Sequence, residues 1–190
     1  MTLPAPFRRA VPADAPEAAR LKNIAGLGLT LHIWQGVAPD DPWGHGAALM
    51  AKAIRAGEVV VAGETGSIRG QLHSYRVPDT PVPLDTLPAL YRGIVPLRDS
   101  LPGHWYIDDI ATTPEARGQG LGTRMLALAE AQARDAGAPG VCLIVADTNT
   151  GARRLYDRAG YAEADSAAFD PLGWDTPTRR FILMRKPLAA

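Results

Sequence analysis

The chain has 190 residues, 46% of them hydrophobic and 21% charged, the make-up of a globular protein large enough to bury its own core. Lys plus Arg equals Asp plus Glu at 20 each, and a formal charge of zero gives no electrostatic reason to expect nucleic acid as a partner. The single cysteine, Cys142, excludes an internal disulfide and a cysteine-cluster metal site, and no apolar run approaches the ~18 residues of a membrane span.

The stretch Met1 to Arg20 carries Arg8 and Arg9 but then Pro12, Asp14, Pro16 and Glu17, so it lacks the apolar middle of a secretory signal and the expected location is the cytoplasm. Phe7 to Val11 reads as a short strand. Pro12 to Glu17 reads as a helix start with an acidic cap and prolines in its first turn. Ala18, Leu21, Ala25 and Leu29 continue at helical spacing until Gly26 and Gly28 end the helix. Pro39 to Gly57 predicts a second helix with Ala47, Met50, Ala51 and Ile54 on one face. Val59 to Gly63 and Ile68 to Arg76 predict a hairpin across the turn Glu64 to Ser67. Val77 to Gly103 holds six prolines and reads as a long loop, a lid or a surface insertion, with a short helix around Leu87 to Ile94.

From there the pattern is regular. Trp105 to Thr112 is a strand, and Gly120 to Ala136 is a helix with Leu121, Met125, Leu128, Ala129 and Ala133 on its apolar face. Val141 to Ala146 is a continuous apolar run, the mark of a strand covered on both faces. Thr150 to Ala159 is a short helix, and the chain closes with strands from Tyr161 onward and over Arg179 to Lys186. Strand, helix, strand, helix implies a parallel pair joined by a right-handed crossover, with antiparallel strands before and after it. The fold class is α/β with a mixed sheet.

The segment that carries chemistry is Ile110 to Thr123. A strand runs into a turn, and Arg117-Gly118-Gln119-Gly120-Leu121-Gly122-Thr123 opens a helix. Glycines at alternate positions let the backbone approach a ligand closely. The first amides of the helix have no intrahelical partner, and with the positive end of the helix dipole they form a site the size of a pyrophosphate. Arg117 adds a charge at its edge. The spacing is not that of a P-loop, which needs four residues between glycines and then Gly-Lys-Ser/Thr, nor that of the dinucleotide fingerprint, whose third glycine falls here on Thr123 or Met125.

Arg117-x-x-Gly120-x-Gly122 after a strand resembles the acyl-coenzyme A signature of the GNAT superfamily of N-acyltransferases. Downstream, Asn149-x-x-Ala152-x-x-Leu155-Tyr156-x-x-x-Gly160-Tyr161 resembles that family's second block, one helix and one strand further on. The resemblance is close over Trp105 to Tyr161. It implies one acetyltransferase domain over 1–190, with the Pro-rich segment at about 77–103 as an insertion. It also implies a GNAT fold: a mixed, mostly antiparallel central sheet with a splayed parallel strand pair and helices on both faces. The cofactor implied is acetyl-coenzyme A, a co-substrate. Its pantetheine arm would pair with Ile110, Ala111 and Thr112, its pyrophosphate would lie on Arg117, Gly118, Gln119, Gly120, Leu121, Gly122 and Thr123, and Asn149 would bond its amides. Asn149 also reads as a plain helix cap, and both roles can coexist.

The reaction implied is transfer of the acetyl group to a primary amine of a small molecule or peptide. An alkylamine titrates near ~10.4 and must be neutral to attack, so a carboxylate, often acting through water, helps to remove its proton. Asp108 and Asp109 are the candidates. In a regular strand they point to opposite faces, so at most one faces the acceptor. Some small-amine acetyltransferases of the superfamily carry an acid where Asp108 stands, which favours Asp108 over Asp109; either can equally be a structural carboxylate. Similar enzymes use the tyrosine at the Tyr156 position as general acid toward the leaving thiolate, and the alternative is that Tyr156 packs on the cofactor.

His32, His45, His73 and His104 show no metal-ligand spacing, so no metal is expected. His73 and His104 lie on or beside strands near the expected acceptor groove, and ordinary strand or loop positions are the simpler reading for both. Cys142, inside an apolar strand, reads as a buried inert thiol. Acceptor specificity is expected in the irregular stretches Trp34 to Gly46, Val77 to Gly103 and Ala167 to Thr178. Similar proteins are often dimers, so a homodimer is compatible. The rival reading is a non-catalytic module that binds acyl-coenzyme A for regulation.

Overall fold

The computed structural model describes residues 2–188. Seven strands form one mixed sheet in the order β1-β2-β3-β4-β5-β7-β6. The strands are β1 (Phe7–Arg9), β2 (Val59–Glu64), β3 (Ser67–Arg76), β4 (Trp105–Thr112), β5 (Gly140–Ala146), β6 (Ala162–Ala168) and β7 (Arg180–Pro187). The helices are α1 (Ala15–Ala25), α2 (Leu29–Val37), α3 (Pro42–Arg55), α4 (Val95–Asp99), α5 (Leu121–Asp135) and α6 (Thr150–Arg158). Strands β4 and β5 are the expected parallel pair, and β1–β2, β2–β3, β5–β7 and β6–β7 are antiparallel. By compactness the chain divides into two units, residues 2–74 with 109–125, and residues 75–108 with 126–188.

The first unit is built on the hairpin. Glu64 pairs with Ser67, and a bulge between Ala62 and Gly63, with Gly63 at φ +116, adjusts the register. Apolar side chains of β2, Val59 and Val61, meet Leu21 of α1, Trp34 of α2 and Met50 and Ile54 of α3 in one core. Burying such large side chains stabilises the unit by about 1.5–3 kcal/mol each. Asp14 is fully buried at the start of α1, where its carboxylate accepts both guanidinium branches of Arg8 at 2.7 and 2.9 Å and the amides of Val11 and Gly66 at 2.8 and 3.2 Å.

Helix α2 differs from the expected irregular stretch. Gly28, at φ +94, ends the preceding turn as a helix stop should, but the chain restarts immediately, because Leu29, Thr30, Ile33 and Trp34 recur at helical spacing and bury. Trp34 lies so close to α3 that a Cβ on Gly46 would stand 2.3 Å from its ring, so that position must be glycine.

In the second unit β5 runs antiparallel to β7 from Gly140↔Pro187 to Ala146↔Phe181, and Val77, Leu97, Tyr106, Cys142 and Leu183 share a core. The Pro-rich segment holds no strand. Its short helix falls at Val95–Asp99, later than expected, while the expected stretch holds a 3-10 turn at Ala89–Tyr91, with another before it at Leu84–Thr86. Asp99 ties the segment down by accepting the Val82 amide at 3.0 Å, and Val77 exchanges backbone bonds with Gly103 and His104. Burial pushes the Cys142 thiol up to about 12, so the expected inert thiol is what the fold contains.

Candidate active site

Strand β4 delivers the chain to the glycine turn. The amide of Thr113 bonds the carbonyl of Arg69, and a 3-10 turn at Pro114–Ala116 redirects the backbone. Gly118 and Gly120 then each adopt φ +74, a conformation that strains any residue with a side chain, and a Cβ at either would meet nothing within 4 Å. The glycines are therefore required by the backbone while the space above them is open. The Arg124 amide, bonding the Gly120 carbonyl at 3.1 Å, closes the first turn of α5 and leaves the amides of Leu121, Gly122 and Thr123 without intrahelical acceptors. Gln119 braces the turn through its side-chain amide on the Glu115 carbonyl at 2.8 Å. Arg124 is committed elsewhere, to the Ala5 carbonyl and the Phe7 ring, whereas Arg117 is exposed on the turn itself. Backbone donors, a helix dipole and one exposed cation fit a diphosphate.

Upstream of the turn, β4 alternates. Tyr106, Ile107, Asp109 and Ala111 are buried, while Asp108, Ile110 and Thr112 are half-buried. The ladder to β5 pairs Trp105, Tyr106 and Ile107 with Val141, Cys142 and Leu143, and β4 continues through Asp109, Ile110, Ala111 and Thr112 beyond the last of these pairs.

The two neighbouring carboxylates have different settings. Asp109 is held in a polar cluster of the first unit. Its Oδ1 accepts Nε2 of Gln71 at 2.7 Å, its Oδ2 accepts Nζ of Lys22 at 3.2 Å, and His73 Nδ1 stands 3.6 Å from Oδ2. The other ring nitrogen of His73, Nε2, meets Glu58 Oε2 at 3.2 Å. Gln71 and His73 alternate on β3 and so share a face, with Leu72 turned into the opposite one. The histidine that the sequence left at an ordinary strand position is therefore a near neighbour of Asp109. The signal was available as the alternate positions of Gln71 and His73 on β3, which put both side chains on one face.

In the second unit, Asn149 caps α6, its Oδ1 accepting the Ala152 amide at 3.3 Å, so the cap reading holds and the NH2 end of the side chain is not used by the cap. Tyr156 is buried on α6 with its ring centroid 6.2 Å from that of Tyr161. Burial, with the nearby Glu130 carboxylate adding to it, holds the Tyr161 phenol well above the usual tyrosine range.

The glycine turn joins a β-strand to a helix on a mixed sheet in which β4 and β5 run parallel. A model of the Acetyltransferase (GNAT) family matches residues 30–161, and the chain belongs to that family. It is an acetyltransferase. The ribosomal-protein-alanine N-acetyltransferase of Brucella melitensis superposes with a TM-score of 0.65 at 20% identity, over 96% of this chain and 99% of that one. The ribosomal-protein-S18-alanine N-acetyltransferase of Escherichia coli gives 0.61 at 17% identity, over 97% and 94%. A candidate streptothricin acetyltransferase from Bacillus anthracis str. Ames, in complex with acetyl coenzyme A, gives 0.51 at 18% identity, over 68% and 61%. At these identities the likeness is one of fold. No curated protein sequence matches the chain. Among the described residues, no helix is long and apolar enough to cross a membrane.

Proposed function

We propose that this protein transfers the acetyl group of acetyl-coenzyme A to a primary amine of a small molecule or peptide. The observation that carries this reading is the turn at Gly118 and Gly120, at φ +74 with open space where side chains would stand, directly before the amides of Leu121, Gly122 and Thr123, which have no intrahelical acceptors. Those amides and Arg117 hold the diphosphate. Ile110, Ala111 and Thr112, beyond the β4–β5 ladder, offer backbone groups to the amide-rich arm as an added strand would, and the NH2 group of Asn149 adds donors. Bound in this way, acetyl-coenzyme A supplies a thioester carbonyl open to attack by a neutral amine.

The chain's own residues handle the protons. One of the two carboxylates of β4, Asp108 or Asp109, takes the acceptor's proton. Asp108 is half-buried, whereas Asp109 has both oxygens engaged by Gln71 and Lys22 and a side chain only 2% exposed, which supports Asp108 as the one an amine can reach. Tyr156 donates its phenolic proton to the departing sulfur. That the family match spans residues of both compact units supports one acetyltransferase domain.

The test is release of coenzyme A thiol from acetyl-coenzyme A across a panel of alkylamines, polyamines and peptides beginning with alanine. Turnover on at least one amine is expected. Tight cofactor binding with no turnover on any amine would favour a regulatory module instead.

A further inference from the structure

Resting on the reading that the NH2 group of Asn149 donates to the cofactor's arm, we infer that Thr178 is a positioning residue for that contact: through the Thr148 hydroxyl it braces the turn that presents Asn149. Asn149 stands at the end of a tight turn off β5. Its amide bonds the Ala146 carbonyl at 3.0 Å, and the Thr150 amide bonds the Thr148 carbonyl at 2.9 Å. Asn149 itself is non-helical, at φ −81 and ψ +62, and its Oδ1 accepts the Ala152 amide. The cap thus fixes one end of a planar amide, and the backbone of the turn sets where the NH2 end points. A contact made by one side-chain amide tolerates little displacement of the turn that carries it.

Support for the turn comes from the chain leading into β7. The regular β5–β7 ladder runs to Ala146↔Phe181, and the three residues before Phe181 extend it by other means. The Arg180 carbonyl accepts the Asp147 amide at 3.0 Å. The Asp147 carboxylate accepts the Arg179 amide at 3.3 and 3.4 Å. The hydroxyls of Thr178 and Thr148 then hydrogen-bond at 2.9 Å, one residue before Asn149. Thr178 is 1% exposed, although Pro177 and Arg179 on either side of it are exposed. A threonine turned inward from an exposed stretch needs a partner for its hydroxyl. Its amide bonds Thr176 Oγ1 at 3.2 Å, which helps to hold it in place. Thr148, by contrast, is exposed, and the bond to a fixed, buried partner is what orders its side chain. Every residue of this brace belongs to the second unit.

The experiment measures kcat and KM for two donors, acetyl-coenzyme A and acetyl-pantetheine, with the best amine from the panel above at saturation. The second donor keeps the amide-rich arm and lacks the diphosphate, so it reports the arm contact alone. Thr178→Val is expected to raise KM about fivefold for both donors, the contribution of one hydrogen bond, with kcat within about twofold. Thr148→Val, on the exposed side of the same bond, should do the same and stands in if the Thr178 variant does not fold. Thr178→Ser keeps the hydroxyl and should keep the parent KM. Unchanged KM in a folded Thr178→Val or Thr148→Val overturns the brace, as does a rise confined to acetyl-coenzyme A, a loss confined to kcat, or a serine variant as impaired as the valine one. The parent reading is tested separately by Asn149→Asp, which keeps an oxygen for the Ala152 cap and loses the NH2 donors. If that variant keeps KM for both donors, Asn149 does not hold the arm and the brace falls with that reading; if it raises KM while the threonine variants do not, the brace alone is overturned. Combined with Asn149→Asp, Thr178→Val should raise KM no further, and a further fivefold rise would show that Thr178 acts elsewhere.

Discussion

Lys22 and Asp109 meet at 3.2 Å across 87 residues of sequence, with side chains 18% and 2% exposed. A pair this withdrawn from water has given up hydration on both sides, and removing one partner leaves the charge of the other less well compensated. Lys22→Met is therefore expected to lower unfolding stability by about 2–4 kcal/mol in urea at pH 7. Asp109→Asn removes the charge that Lys22 answers, so the double variant should be less unstable than the sum of the two, by at least about 1 kcal/mol. Strict additivity in that cycle would mean the contact contributes nothing.

The glycine turn separates a backbone effect from a ligand effect. Gly120→Ala should cost only about 1–2 kcal/mol, the strain of a side chain at φ +74, because its Cβ meets open space. Gly120→Glu adds a carboxylate in that same space. Its stability should match that of the alanine variant, while its affinity for acetyl-coenzyme A, measured by calorimetry, should fall about a hundredfold or more through repulsion of the phosphates. Equal affinities in the two variants would place the diphosphate elsewhere.

The parts legible in the sequence were those whose signal is local. The run from Trp105 to Tyr161 repeats strand, turn and helix with the glycines and apolar periods that each element needs, and β4, α5, β5 and α6 lie where those periods put them. Helix α2 was hidden because Gly26 and Gly28 look like stops, while the burial of Ile33 and Trp34 that stabilises it comes from distant residues. The setting of Asp109 was hidden for the same reason. Lys22, Glu58 and the pair Gln71 and His73 come from three separate places in the chain, and no spacing along it records that β3 and β4 lie side by side. The sequence narrowed the base to two adjacent carboxylates, but only the fold distinguishes their surroundings.

Acid should weaken the first unit at Asp14. Burial alone would raise this carboxyl's pKa, but the hydrogen bonds from Arg8 and from the Val11 and Gly66 amides outweigh it and hold the pKa below the usual carboxylate range. A group depressed in the folded state stabilises above its unfolded pKa of ~3.9, and that contribution fades as the pH falls through the lower folded value. Urea midpoints should therefore fall between pH 5 and pH 2. Asp14→Asn should be less stable at pH 7 by about 3 kcal/mol, since Arg8 loses its buried partner, and should show a flatter acid limb. An acid limb unchanged by the substitution would assign the loss to other carboxylates.

Tyr156 and Tyr161 are neighbouring buried rings with different expected fates. Tyr156→Phe keeps the ring and its packing, so the melting temperature and the affinity for acetyl-coenzyme A should hold. If its phenol protonates the leaving thiolate, kcat should drop by about a hundredfold. Tyr161 lies at 3% exposure, and burial and Glu130 together oppose loss of its proton, so Tyr161→Phe should leave kcat within about twofold. Parallel losses in both variants would point to a shared packing role. Full turnover in Tyr156→Phe would leave the departing sulfur to be protonated by solvent.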